Sequence, residues 1–169
     1  MNALARQELL SLLDGQQALE PGHEQQDLAQ FAVELLAWTR RQDLASFKRA
    51  SGSEELLHPL HVEDVGPAAY LVSDGFASKS QPHWHQTWAV IVGIEGKELN
   101  RIFTLASNGQ LHVSGEVVVG PGDTLVLDST SIHSTTVVGK EPSFHIHVYG
   151  KALHRLAPFS ARTYVAGEV

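Results

Sequence analysis

Pro82-His83-Trp84-His85-Gln86-Thr87-Trp88-Ala89-Val90-Ile91-Val92-Gly93-Ile94-Glu95-Gly96 is the stretch on which the fold of this chain turns. Its aromatic and β-branched residues, ending at a glycine, predict one extended strand from His83 to Ile94. Side chains two apart in a strand share a face, so His83 and His85 can present both imidazoles to a single ion. A third histidine, His133, ends the run Asp128-Ser129-Thr130-Ser131-Ile132-His133, about fifty residues further on. Only a fold that lays distant strands across one interior can bring it to the other two. A small antiparallel barrel does so.

Outward from this stretch the chain has two textures. Between Asn2 and about Arg49, apolar residues recur at helical spacing: Leu9, Leu12 and Leu13, then Leu28, Phe31, Leu35 and Trp38 after breaks at Asp14-Gly15 and Pro21-Gly22. Two amphipathic helices are expected there, covering an end or face of the following sheet. Ser51-Gly52-Ser53 reads as a linker, so residues 1–53 form a helical segment and 54–169 a β-barrel with a C-terminal tail, within one structural domain. Further strands are expected over Ala68 to Ser73, Glu98 to Ala106, Gln110 to Val113, Glu116 to Val119, Thr124 to Leu127, His133 to Val138 and Ser143 to Tyr149. Ser107-Asn108-Gly109 reads as a hairpin turn, Gly120-Pro121-Gly122-Asp123 as a turn, and Glu54-Glu55 as a solvated helix start.

Composition narrows the function classes. With 43% hydrophobic and 18% charged residues the chain is globular, and its formal charge of −7, without any basic run, argues against a nucleic-acid partner. No stretch approaches the about 20 apolar residues of a membrane span and the N-terminus does not read as a signal peptide, so a cytoplasmic location is expected. Without cysteine, any metal must be held by nitrogen and oxygen donors.

The His-x-His stretch, Gly120-Pro121-Gly122-Asp123 and His133, in that order, resemble the two motifs of the cupin superfamily. The resemblance implies a mainly β fold, a double-stranded β-helix or jelly-roll barrel holding a metal on His83, His85 and His133, with the helical segment packed on it. Within the superfamily the chain is most similar to the thiol dioxygenases, the cysteine and 3-mercaptopropionate dioxygenase group. That likeness rests on Thr87-Trp88-Ala89 after His85, on Asn100-Arg101 after Gly96, and on His145-Ile146-His147-Val148-Tyr149-Gly150. It spans about Pro67 to Arg155.

Most cupins carry a glutamate ligand seven residues before the glycine that closes the first motif; here that position is Ala89. The resemblance therefore implies a three-histidine iron(II) site, though nickel, zinc or manganese could occupy the same donors in purified protein. Three neutral imidazoles leave the ion's double charge uncompensated, which favours binding a small thiol as its thiolate. Reaction with dioxygen would then yield a sulfinate. His147 and Tyr149 match the last two members of the Ser-x-His-x-Tyr network of that group and are the expected catalytic pair. His145 stands where the serine would be and is expected beside them.

Recognition of a substrate carboxylate is harder to place. The group uses an upstream arginine or glutamine, whereas the only cationic side chain between Leu56 and Gln81 is Lys79. Arg101 and Arg155 are the remaining candidates, and the substrate could lack a carboxylate altogether. Two other classes stay open: a metal-dependent cupin with a non-thiol dioxygenase, isomerase or lyase task, and a non-catalytic small-molecule binder. Trp84 and Trp88 are expected in the core, and His61, His112 and His154 as ordinary hydrogen-bonded residues. Pairing into a homodimer through sheet edges or helices is compatible with such a barrel.

Overall fold

A computed structural model describes residues 1–16 and 24–155, leaving aside the side chains at 24 and 155. The expected break at Pro21-Gly22 and the C-terminal tail lie outside the described residues. Two helices, α1 (Ala3–Asp14) and α2 (Glu24–Thr39), precede nine strands. The strands are β1 (Glu55–His61), β2 (Ala68–Asp74), β3 (His83–Trp84), β4 (Ala89–Glu95), β5 (Glu98–Leu105), β6 (Leu111–Val119), β7 (Thr124–Leu127), β8 (Ile132–Val137) and β9 (Ser143–Tyr149). They form two antiparallel sheets, β1-β2-β9-β4-β7 and β3-β8-β5-β6.

The helices form where the leucines said they would. Asn2 caps α1, its side chain accepting from the Ala5 N–H at 2.9 Å, a contact worth about 1 kcal/mol. Leu9, Leu13, Leu28, Phe31, Leu35 and Trp38 are all buried, packed on Ala69, Leu71, Val90, Val92, Phe144, Ile146 and Val148 of the five-stranded sheet. This explains why β2 and β9 are buried along their whole length: alternate residues face the helices, and the rest face the barrel interior. Trp88 belongs to the helix-facing layer, edge-on to Phe31 at 6.1 Å. Arg49 secures the connection after α2, with its guanidinium on Glu95 at 2.7 Å and over the Phe144 ring at 3.7 Å.

Several boundaries differ from the sequence reading, each for a local reason. The single strand expected from His83 to Ile94 is two strands in different sheets. Gln86, at φ 55°, is the one non-glycine residue in the left-handed region among the described residues, and it turns the chain from β3 into β4. Gln110 to Val113 and Glu116 to Val119 merge into β6, because Ser114-Gly115 is a bulge rather than a break, opposite the Ile102/Phe103 step of β5. Glu55 opens β1, with Glu54 just before it, rather than a helix. That strand was hidden by Pro59, which is tolerated because β1 lies at a sheet edge.

Two glycines are required by close approach. A Cβ on Gly93 would stand 2.0 Å from the Gly120 carbonyl oxygen, and one on Gly96, at φ +64°, 2.3 Å from that of Pro142. The Gly120–Asp123 turn thus docks directly on β4, as the bond from the Gly93 N–H to the Asp123 carbonyl at 3.0 Å also shows. The hairpin turn at Ser107-Asn108-Gly109 forms as expected, with Gly109 at φ +85°.

Phe31 is 1% exposed at the junction of both helices and the sheet. Phe31→Ala should cost about 3–5 kcal/mol, read from the urea unfolding midpoint.

Candidate metal centre

The inward face of the barrel is set by register. His83 of β3 lies opposite His133 of β8, which in turn lies opposite Ile102 of β5. His85 follows the end of β3, just before the turn at Gln86, and its ring swings over the same interior point. The His85 Nε2 atom is 3.1 Å from Nε2 of both His83 and His133. The three nitrogens thus converge, and no aspartate or glutamate joins them within 4.8 Å among the described residues.

The partners of the rings decide which nitrogen faces inward. His83 Nδ1 lies 2.9 Å from the Gln81 carbonyl, and so carries the proton it donates there. His133 Nδ1 lies 3.0 Å from Asn100 Oδ1. Asn100 Nδ2 in turn donates to Glu98 Oε1 at 3.0 Å, which orients the amide and makes its oxygen the acceptor for His133. Both rings therefore aim an Nε2 lone pair at the shared point. Burial lowers all three rings, aided by neighbouring imidazoles at His85 and His133, with His85 pushed down to about 3 by desolvation and then by His83.

Lone pairs 3.1 Å apart repel unless a proton or cation lies between them. That separation is close to what adjacent nitrogens have when both bond one divalent ion at about 2.1 Å. The residues present therefore fit a metal. Ala89, buried opposite Tyr149 and Leu127, leaves a methyl group where most cupins have a carboxylate. Trp84 is half-buried rather than in the core, and its indole N–H donates to the Ser129 carbonyl, tying β3 to the loop that leads into His133. That loop is itself shaped by Asp128, which accepts from the Thr130 N–H at 2.8 Å.

Along β9, alternation places His145, His147 and Tyr149 inside and Phe144, Ile146 and Val148 against the helices. The Tyr149 ring lies 4.8 Å from that of His85, and its hydroxyl is 3.0 Å from His147 Nδ1. Burial, then the acidic groups Glu55 and Glu98, push the Tyr149 phenol up, so it keeps its proton. Arg101 is not brought to the site. It sits one residue from the inward-facing Asn100, and its exposed guanidinium pairs with Glu116 at 2.7 Å. The side chain of Arg155 lies outside the described part of the structure. His61, His112 and His154 join neither histidine cluster.

Two groups escaped the sequence reading: Asn100 as the partner of His133, and Glu98 beneath it. Their signal was present. Glu98-Leu99-Asn100 puts two polar residues on the inward face of a strand, 1% and 0% exposed.

No family model and no curated protein matches the chain. Solved structures do. It is similar to a protein of Thermus thermophilus at a TM-score of 0.53 and 15% identity, over 65% of this chain and 95% of that one. It is also similar to a cupin superfamily protein of Desulfitobacterium hafniense, at 0.51 and 16% over 65% and 89%. An RmlC-like cupin with a double-stranded β-helix fold from Methanocaldococcus jannaschii gives 0.50 and 9% over 69% and 96%. The fold is the cupin double-stranded β-helix. At these identities the likeness concerns the fold alone, and what the cupin interior does must be argued from its side chains.

The buried groups impose opposite pH dependences on the metal-free protein. Five interior histidines are depressed below their ordinary 6.5, with His85 at about 3 and His145 at about 4, chiefly by burial. They stay neutral when folded and take up protons on unfolding, so the stability they lend is complete above about 6.5 and is lost as pH falls. Glu98, pushed up to about 8 by burial and then by Asp74, and Asp74, pushed up to about 6 by burial and then by Glu55, run the other way. Both hold their protons to higher pH when folded than when unfolded, so the stability they lend is full below the ordinary carboxylate range and drains as pH rises through those values. Thermal melts in chelator between about pH 5 and 9 should peak near about pH 7 and fall on both sides.

Proposed function

We propose that the chain is a metal-dependent cupin enzyme, an iron(II) thiol dioxygenase that oxidises a small thiol to a sulfinate with dioxygen. The observation that carries this reading is a cluster of three neutral imidazoles with Ala89 in place of a carboxylate, beside a tyrosine held by His147. His83, His85 and His133 would hold the ion. Iron(II) bound there would supply dioxygen activation and the Lewis acidity that favours a thiolate over a thiol.

The chain's own residues do the rest. Gln81 and Asn100 fix the tautomers of His83 and His133, so the donors are set before a metal arrives. Half-buried His83 and His85 lie at the solvent side of the cluster, while His133 and Tyr149 close its inner side. The Tyr149 hydroxyl, protonated and oriented by His147, is placed to hydrogen-bond a substrate or oxygen atom beside His85. Arg101 faces away and Lys79 is exposed, so among the described residues none of the candidate cations faces the cluster. We read the substrate as a small thiol without a carboxylate, such as an aminothiol.

Protein purified anaerobically with iron should consume dioxygen in the presence of such a thiol and release its sulfinate. A panel of cysteamine, cysteine and 3-mercaptopropionate in an oxygen electrode checks both activity and preference, with cysteamine expected to lead. No thiol-dependent uptake by iron-loaded protein across the panel would overturn the reading in favour of another cupin reaction or of simple ligand binding.

His83→Ala or His133→Ala should empty the iron site, measured as metal per chain after gel filtration. Tyr149→Phe should keep the metal and lower turnover about 10- to 100-fold. Unchanged turnover with the metal retained, or lost turnover fully accounted for by lost metal, would make Tyr149 a packing residue only.

A further inference from the structure

Below the three-histidine cluster, the barrel holds a second group of potential ligands. Glu98 of β5 and His145 and His147 of β9 bring a carboxylate oxygen and two ring nitrogens within 4.8 Å of one another, all buried. Among the described residues neither ring nitrogen of His145 has a hydrogen-bond partner, and nor does His147 Nε2. The Val119 carbonyl lies near enough to act on His145 but does not meet the geometry of a hydrogen bond to either ring nitrogen. His145 is 0% exposed, and Ser143 Oγ, two residues earlier on the same face, is also buried and unpartnered.

Buried polar groups in folded proteins almost always find partners, because each one left bare costs about 1–3 kcal/mol. Four bare atoms on one strand face, beside a buried carboxylate, therefore call for an occupant. Its charge is indicated by what surrounds it. Asp74, 7% exposed, lies opposite Ser143 on β9 and opposite Glu55 on β1, so one cross-strand row carries two more carboxylates toward the exposed edge. Among the described residues no lysine or arginine pairs with Glu98, and Asn100 donates to it. A divalent ion would displace the Glu98 proton and bind the carboxylate together with the ring nitrogens, whereas an apolar ligand would leave every donor and acceptor bare.

The geometry points to a second metal site, in which Glu98, His145 and His147 bind one divalent transition-metal ion inside the barrel, apart from the His83-His85-His133 cluster. Two imidazoles and one carboxylate suit zinc, cobalt, iron or manganese rather than calcium or magnesium, which prefer oxygen ligands. Ligands of a shared ion stand about 3–3.4 Å apart, so modest rotations of Glu98 and the rings close the present spread. Coordination through Nε2 leaves His147 its proton on Nδ1. That proton is then donated to the Tyr149 hydroxyl oxygen, freeing the phenolic O–H to face the upper cluster. His145, which replaces the serine of the thiol dioxygenase network, thereby acquires a role of its own.

This site does not depend on the reaction proposed above, and the test reads metal rather than turnover. Chelated protein reloaded with cobalt(II) and passed through gel filtration should carry two ions per chain. Glu98→Gln and His145→Gln should each carry one, and the double variant His83→Ala/His85→Ala should retain one. Anomalous diffraction from cobalt-loaded wild-type crystals, which needs no substitution to fold, should show peaks at both clusters. A single peak at the three histidines, with water or a direct Glu98–His145 hydrogen bond below, would overturn the proposal. So would a Glu98→Gln protein that still binds two ions.

Discussion

His85 Nε2 held 3.1 Å from the Nε2 atoms of both His83 and His133 sets ring lone pairs against one another, and many local features of the structure serve to maintain that convergence. Gln81 and Asn100 fix two of the rings, Trp84 ties the strand of His83 to the loop before His133, and Gln86 bends the chain so that His85 can reach in. Gln86 adopts a conformation that non-glycine residues seldom take. The arrangement becomes favourable only when something positive occupies the focus of the three nitrogens.

The five-stranded sheet across the barrel from β3 and β8 is stabilised from outside. Helix residues Phe31, Leu35 and Trp38 bury the outer face of β2, β4 and β9, so those strands are dry on both faces and their inward residues are rigidly registered. Polar groups can then sit on the inner face without the sheet depending on them. Among the described residues the four-stranded sheet has no such cover, as the largely exposed β6 shows, and it contributes His83 from β3 and His133 from β8, next to the helix-backed sheet's Tyr149.

Much of this was legible from alternation. The strand bounds of β7 and β9, the inward set His145, His147 and Tyr149, and the helix faces around Phe31 all follow from periods of two and of about 3.6. What could not be read depended on contacts rather than periods. The turn at Gln86 has no signature in its residue type, the edge strand β1 carries a proline that normally argues against a strand, and the bulge at Ser114 mimics a break. The direction of Arg101 needed the register of β5 against β6, where Glu116 is its directly opposite neighbour. Asn100 was visible as a residue, but its bond to His133 crosses 33 positions of sequence.

The absence of a carboxylate at position 89 changes meaning once Glu98 is considered. A glutamate at 89 would neutralise part of an ion's charge by direct contact. Here the nearest acidic group in the hydrogen-bonded chain is Glu98, which reaches His133 only through Asn100: the carboxylate accepts from the amide nitrogen, and the amide oxygen accepts from the imidazole. Such a chain strengthens His133 as a donor without filling a coordination position. His147 and Tyr149 form the second connection, from the lower cluster to the ring of His85. The barrel therefore places its buried acidic group one layer below the three histidines, joined to them through Asn100 rather than by direct contact.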